Sequence, residues 1–195
     1  MWPQLIRRFR HYLTLERSLS ANSIEAYTLD VQKLADYVAR EFPAKTPLEL
    51  ELEHLRRFVT ALAMLEISAY SQARIISGIK QFFRYLILER YIHVDPSELL
   101  EQPKLGRKLP EVLEIDEIDA LLAAIDLSAA EGERNHAMLE TLYSCGLRVS
   151  ELIGLRFSDL YFDEGFIRVI GKGNKERLVP VSPQVVQEIT TYTAQ

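Results

Sequence analysis

Two short stretches hold the side chains whose types and spacing could do chemistry. Arg148 and Glu151 stand three residues apart in Gly146-Leu147-Arg148-Val149-Ser150-Glu151-Leu152-Ile153-Gly154-Leu155, which puts both on one face of a helix. An arginine fork grips the oxygens of a phosphoryl or carboxyl group two at a time and stays charged at any working pH. A carboxylate on the same face would orient it. Farther along, Lys172 sits between two glycines in Val169-Ile170-Gly171-Lys172-Gly173-Asn174-Lys175-Glu176-Arg177-Leu178-Val179-Pro180. Glycines let a backbone come close to a ligand, and a lysine there could pass a proton or contact phosphate. Taken alone, Gly-Lys-Gly-Asn-Lys is an ordinary exposed hairpin and Arg148 a helix cap. The Walker spacing Gly-x-x-x-x-Gly-Lys-Ser/Thr does not occur.

Other candidates for chemistry are weaker. His11, His54, His93 and His136 are scattered without metal-ligand spacing, and the single cysteine, Cys145, has no Cys or His partners nearby. Neither a metal nor a cofactor is expected. Cys145 reads as a small buried residue rather than a nucleophile, and one cysteine fits a reducing cytoplasm.

The elements that position these residues follow from pattern. The first half reads as helices over about 3–17, from Asn22 to Glu41, from Glu51 to Leu65 and from Ala69 to Arg90. Asn22 and Glu25 form a capping-box signature for the second, and Ile24, Tyr27, Val31, Leu34 and Val38 give it an apolar stripe. In the fourth helix Ile75, Ile79, Phe82 or Phe83, and Leu86 turn inward, while Ser71, Arg74, Ser77, Gln81 and Arg84 line the opposite face. That face is either plainly solvated or suited to phosphate contact. Pro103-Lys104-Leu105-Gly106-Arg107-Lys108-Leu109-Pro110 reads as a basic linker. Beyond it helical patterns cover Ile115 to Ile125, Arg134 to Ser144 and Val149 to Leu155. Short β-type runs come next at Leu160 to Phe162, Phe166 to Ile170 and Arg177 to Val181, as in an antiparallel meander, and a last helix opens at Ser182-Pro183. The expected domains are residues 1–102, the linker 103–110 and residues 111–195.

Charge is divided unevenly. The net value of −5 argues against a uniformly basic surface. Residues 1–107 carry fifteen Lys and Arg against thirteen Asp and Glu, and residues 108–195 eight against fifteen. The acids gather between Glu111 and Glu140, which is then an unlikely face for a phosphate backbone. The chain opens with Arg7, Arg8, Arg10 and Arg17 and no apolar run after them, so neither a leader nor a membrane anchor is expected.

Three stretches together carry a family resemblance that extends along the whole chain. Leu19-Ser20-Ala21-Asn22-Ser23-Ile24-Glu25-Ala26-Tyr27 resembles the opening of the core-binding domain of tyrosine site-specific recombinases. The Arg148 stretch, followed by Arg156-Phe157-Ser158-Asp159, resembles the family's first catalytic box. The Lys172 stretch resembles its lysine hairpin. The match is nearest to the Xer subgroup. It implies a mainly α fold with a small antiparallel sheet: a four-helix, SAM-like core-binding domain and a partial α/β catalytic domain.

The resemblance also implies a reaction. A tyrosine attacks a DNA phosphodiester and leaves a 3′-phosphotyrosyl link with a free 5′-hydroxyl, so no nucleotide cofactor is needed. Arg148 would clamp the phosphoryl oxygens, Lys172 would protonate the leaving oxygen, and Glu151 would support the arginine. Lys175 would contact phosphate. Expected DNA contacts are Ser20, Asn22, Ser23, Arg74, Ser77, Gln81, Arg84, Lys104, Arg107, Lys108 and Lys175. Partners would be a duplex recombination site and sister protomers, four on two sites, with chromosome dimer resolution at a dif-like site as the role. A mobile-element integrase shares every motif.

The family's His-x-x-Arg box, further His or Trp, and nucleophilic Tyr are expected after the hairpin, but no His or Arg follows Val181. The sequence is therefore expected to be C-terminally truncated and to bind DNA without cleaving it. His54-Leu55-Arg56-Arg57 fits the box literally but lies upstream, where it should be an exposed part of the third helix. Tyr192 follows the last strand too soon to be the nucleophile. A DNA-binding remnant or regulator, or a helical module with no nucleic-acid partner, are the rival classes.

Overall fold

The computed structural model describes residues 1–106, 111–171 and 173–194, so Arg107, Lys108 and Lys172 lie outside the described residues. The chain divides into two units, Met1–Lys108 and Leu109–Gln195.

The first unit is built from α1 (Trp2–Leu15), α2 (Ala21–Glu41), a 3-10 turn (Pro47–Glu49), α3 (Leu52–Met64) and α4 (Ala69–Leu88). Each α-helix contributes one apolar stripe to a shared core. Leu5, Phe9 and Leu13 come from α1, Val31, Leu34 and Val38 from α2, Leu55, Phe58 and Leu62 from α3, and Ile75, Ile79, Phe82, Phe83 and Leu86 from α4. Phe9 and Phe82 meet edge to face at 5.3 Å, the arrangement ring quadrupoles prefer.

Details of these helices differ from the sequence expectation, and α1 ends at Leu15 rather than near residue 17. The cap of α2 is Ser20, whose Oγ accepts from the Ser23 backbone N–H at 3.4 Å, and Asn22 lies inside the helix. A serine two residues earlier already satisfies an orphan donor of the first turn, so Asn22 has no cap to make. α4 stops at Leu88 because Arg90 takes a left-handed φ of +59° and the Tyr91 N–H closes onto the Leu86 carbonyl. α3 ends by the same motif, with Glu66 at +55° and Ile67 N–H on the Leu62 carbonyl. These positions favour glycine, and the sequence has no such signal at either.

A buried charge crosses this unit. Asp30 of α2 is fully buried within the apolar stripe, and Arg74 of α4 grips it with NH1 at 2.6 Å from Oδ2 and NH2 at 2.8 Å from Oδ1. Burial pushes the Asp30 carboxyl above its ordinary range in spite of that pairing. Gly78 lets the two helices close over the pair, since a Cβ there would lie 2.6 Å from Asp30 Oδ2 and 2.9 Å from its Cβ. Gly78→Ala is expected to destabilise the unit by about 1–3 kcal/mol through overpacking. Urea unfolding monitored by circular dichroism measures this, and an unchanged midpoint would show that Asp30 can move aside.

The second unit contains α5 (Ile115–Ala123), α6 (Gly132–Ser144), α7 (Val149–Ile153), a 3-10 turn (Phe157–Asp159), strands β1 (Leu160–Tyr161), β2 (Phe166–Ile170) and β3 (Glu176–Pro180), and α8 (Pro183–Thr193). The strands form an antiparallel meander in the order β1-β2-β3, with Ile167 opposite Val179 and Val169 opposite Arg177. Ile167 and Val169 point into a small core with Cys145, Leu147 and Val185. α6 starts at Gly132, earlier than Arg134, and the chain there runs so close to the Asp126 carbonyl that a Cβ would lie 2.2 Å from it. His136 Nδ1 and Glu188 Oε2 meet at 2.9 Å and tie α6 to α8. Ser182 Oγ caps α8 by accepting from the Val185 N–H at 3.2 Å. No helix among the described residues is long and apolar enough to cross a membrane.

Candidate functional site

Arg148 reaches its place through the end of the preceding helix. α6 stops with Gly146 at φ +57° and the Leu147 N–H bonded to the Leu142 carbonyl at 3.1 Å. This helix-ending motif favours glycine at that φ. The chain then turns at once into α7, with Arg148 as its N-cap in extended conformation and Glu151 at its third position. The glycine of the box thus sets the direction in which Arg148 leaves the core.

Glu151 is the hub of the site. Its side chain is only 2% exposed and accepts four hydrogen bonds. Arg148 supplies its backbone N–H to Oε2 at 2.8 Å and one guanidinium N–H to Oε1 at 2.8 Å. Arg177 of β3 supplies NH1 to Oε1 at 2.6 Å and NH2 to Oε2 at 2.9 Å. The two-point bond from Arg177, then the Arg148 backbone N–H, hold the Glu151 carboxyl down at about 2, far below the usual carboxylate range. The Arg148 side chain remains 68% exposed. It offers charged N–H donors outward while its inner edge is fixed.

The hairpin between β2 and β3 leans on the same carboxylate. A Cβ at Gly171 would lie 3.1 Å from Glu151 Oε1 and 3.4 Å from Arg177 NH1. The Gly171 N–H bonds the Lys175 carbonyl at 2.8 Å, and Gly173 and Asn174 turn the chain with φ of +75° and +58°. Lys172, in the middle of this turn by sequence, lies outside the described residues, and Lys175 is exposed. A second ion pair braces the base of the sheet. Arg168 of β2 donates to Asp159 Oδ1 through Nε at 2.9 Å and NH2 at 2.6 Å, while Asp159 Oδ2 accepts the Arg156 N–H at 3.2 Å. The Arg168 pairing holds the Asp159 carboxyl below its ordinary range.

Motif and spacing do not mark Arg177 as a site residue; the structure does. It faces the core side of the sheet because it stands opposite buried Val169, with Val179 two residues on and exposed Leu178 between them. A charged residue at an inward position of an alternating strand is the signal that could have found it.

In the first unit the expected DNA contacts fall into two groups. Ser20 and Ser23 share a hydroxyl contact of 3.0 Å at the start of α2. Ser77 Oγ donates to the Ala73 carbonyl and accepts from Gln102 Nε2 at 3.1 Å. Arg74 has both terminal nitrogens on Asp30, so its fork is an internal anchor rather than a free phosphate grip. Asn22, Arg84 and Lys104 are exposed, and Gln81 is half-buried. His54 is not an exposed part of α3: its Nδ1 accepts the Glu51 N–H at 3.1 Å and its ring packs edge-on to Phe42 at 4.8 Å. Cys145 is buried, and burial pushes its thiol up, away from a reactive thiolate. Among the described residues no group of three His, Cys, Asp or Glu could hold a metal ion. The apolar hollow of about 660 Å³ lined by Met138, Ile153, Phe157, Ile189 and Tyr192 does not include Arg148 or Glu151 in its wall.

A helical unit followed by an α/β unit with a small antiparallel sheet has known counterparts. Residues 111–195 match the family described as the phage integrase family, and residues 6–90 that described as phage integrase, N-terminal SAM-like domain. The chain belongs to the phage integrase family, the tyrosine recombinases. It is similar to the tyrosine recombinase XerD of Staphylococcus aureus and to that of Staphylococcus epidermidis, 39% identical over 188 residues in each case, which is 96% of this chain and 63% of theirs. The chain therefore spans about 63% of the length of these curated relatives. Among solved structures it shares the fold of XerH site-specific recombinase bound to palindromic difH substrate, with a TM-score of 0.69, 20% identity, and coverage of 91% of this chain and 54% of that one. A lambda integrase tetramer bound to a Holliday junction gives a TM-score of 0.71, 18% identity, and coverage of 94% and 52%.

Proposed function

We propose that this chain binds a duplex recombination site and presents Arg148 and Lys172 to the scissile phosphate of a strand-exchange reaction that proceeds through a 3′-phosphotyrosyl intermediate. The observation that carries this reading is the Arg148 side chain itself, exposed over two thirds of its surface yet anchored by a buried carboxylate. Such a preorganised donor stabilises charge that develops on phosphoryl oxygens without reorganising during the reaction. Lys172 would serve as general acid to the leaving 5′-oxygen, on a hairpin whose base rests on Glu151. In the first unit Ser20, Asn22, Ser23, Gln81 and Arg84 would contact the backbone, and Lys104, Arg107, Lys108 and Lys175 would add phosphate contacts. Arg74 and Ser77 would reach DNA only with the donors left over from their internal bonds.

Likeness to XerD recombinases supports a chromosome dimer resolution role at a dif-like site, with protomers assembling four to a pair of sites in the bacterial cytoplasm. A mobile-element integrase, whose family shares every motif of this sequence, is the second reading. Because Tyr192 is the sole tyrosine after Lys172 and no His or Arg follows Val181, these 195 residues are expected to retard duplex DNA and to form no covalent adduct with it. Gel shift and a suicide-substrate trap measure the two halves. Absence of a shift at low salt overturns the DNA-binding reading, and a trapped adduct overturns the second half. Arg84→Ala is expected to weaken binding evenly across sequences and to lower the salt slope by about 1; an unchanged slope would remove Arg84 from the phosphate contacts.

A further inference from the structure

We propose that Arg177 is a positioning residue for the cleavage site: its two-point hold on Glu151 from β3 keeps the Arg148 fork open toward a DNA phosphate and fastens the lysine hairpin to the helix that presents Arg148. This rests on the reading of Arg148 as the phosphate clamp.

An ionised carboxylate has room for about four hydrogen bonds. On Glu151 two go to Arg177, one to the Arg148 backbone N–H, and the last to a single N–H of the Arg148 guanidinium. Arg148 is thus tethered at one point and keeps its other donors for a ligand. The backbone bond already holds Arg148 beside the carboxylate. With Arg177 gone, two acceptor positions open next to an arginine that cannot move away. The Arg148 fork then closes onto its own glutamate in the bidentate geometry that arginine and carboxylate favour, and a DNA phosphate must compete with it.

Arg177 does not itself fit the clamp. Both of its terminal nitrogens are engaged, and its side chain is 39% exposed against 68% for Arg148. It also stands on the strand that leaves the hairpin, opposite Val169, so the grip on Glu151 ties β3 to α7. Gly171, whose missing side chain gives that carboxylate its space, fits the same purpose.

The test measures duplex affinity of the whole chain for Arg177→Met, Arg177→Lys, Arg148→Ala and Glu151→Gln, alone and in pairs, at fixed low salt. Arg177→Met is expected to weaken binding by on the order of tenfold, the scale of one charge-assisted phosphate bond. Arg177→Lys should give no full rescue, because a point charge cannot hold both oxygens. In the Glu151→Gln background Arg177→Met should add little, since an amide no longer captures the Arg148 fork; such non-additivity marks coupling through Glu151.

Carbon-13 titration of the Glu151 carboxyl supplies the signature a merely structural tie would not link to affinity. The charged groups bearing on it are Arg148 from its own helix and Arg177 from β3, and it should move up from about 2 in both Arg177 variants. Should Arg177→Met fail to fold, Arg177→Lys still decides the matter. The inference is overturned if the Arg177 variants bind as wild type while Arg148→Ala does not, or if their loss persists in full with Glu151→Gln. An Arg148→Ala chain that binds as wild type overturns the clamp reading, and this inference with it.

Discussion

Phe82→Ala is expected to remove about 3–5 kcal/mol from the first unit, the usual cost of emptying a large aromatic site in a packed core. Phe82 is fully buried in α4 and holds four other rings together: Trp2 at 6.0 Å, Phe9 at 5.3 Å, Phe83 at 5.6 Å and Tyr85 at 6.5 Å. Two of these belong to α1, so the substitution opens the contact between the first and last helices as well as a cavity. The surrounding rings are stiff and already packed against one another, so they relax little into the space. Against a typical domain stability of about 5–15 kcal/mol, such a loss brings the unit close to unfolding at room temperature. Urea unfolding followed by tyrosine and tryptophan signals measures it, with amide exchange of the β2–β3 pairs as a control, because the sheet packs on a separate core of Ile167, Val169 and Val185. A loss below about 1 kcal/mol would mean that the ring cluster collapses onto the gap, contrary to its packing.

The helices of the first unit are legible in the sequence because their apolar spacing is regular and their cores are conventional. Hidden from it are the places where a residue departs from its usual habit. Glu66 and Arg90 end α3 and α4 in left-handed conformations without glycine, so the sequence pattern carries α4 two residues too far. Asp30 sits in an apolar stripe where an acid is costly, and only the distant Arg74 explains it. That pairing draws Arg74 inward from a face that periodicity alone places in solvent. Periodicity assigns a direction to a Cβ and leaves the last atoms of a long side chain free to turn back.

At the site the balance is different. Arg148, Lys172 and Glu151 stand out by type and spacing, and the bond between Arg148 and Glu151 follows from the three-residue spacing of an N-cap and the third helical position. Arg177 does not stand out, because its link to Glu151 depends on how β3 registers against β2 and on where the sheet meets α7. Contacts between elements distant in sequence are set by tertiary packing and leave only a faint local trace, here a charge in an inward strand position.

Glu151→Ala is expected to loosen the site more than any other single change in the second unit. It leaves the Arg148 and Arg177 guanidinium groups near one another without the anion that both now share, and frees the Gly171 end of the hairpin from its support. Amide exchange at Gly171, whose N–H closes the hairpin on the Lys175 carbonyl, should accelerate by roughly ten- to a hundredfold, the range spanned by hydrogen bonds to charged groups. Acid should reproduce part of this in the unaltered chain, and the sign follows from linkage. The Glu151 carboxyl falls from an ordinary 4.5 to about 2 on folding, so its contribution is complete above roughly pH 4.5 and is lost as pH falls through the interval down to about 2. Glu151→Gln removes the charge and keeps the shape, and its hairpin should therefore exchange at a rate that no longer depends on pH in that interval beyond intrinsic chemistry. The same pH dependence in Glu151→Gln as in the parent chain would assign it to another carboxylate, with Asp159 beneath Arg168 the first to examine because its carboxyl is also held down.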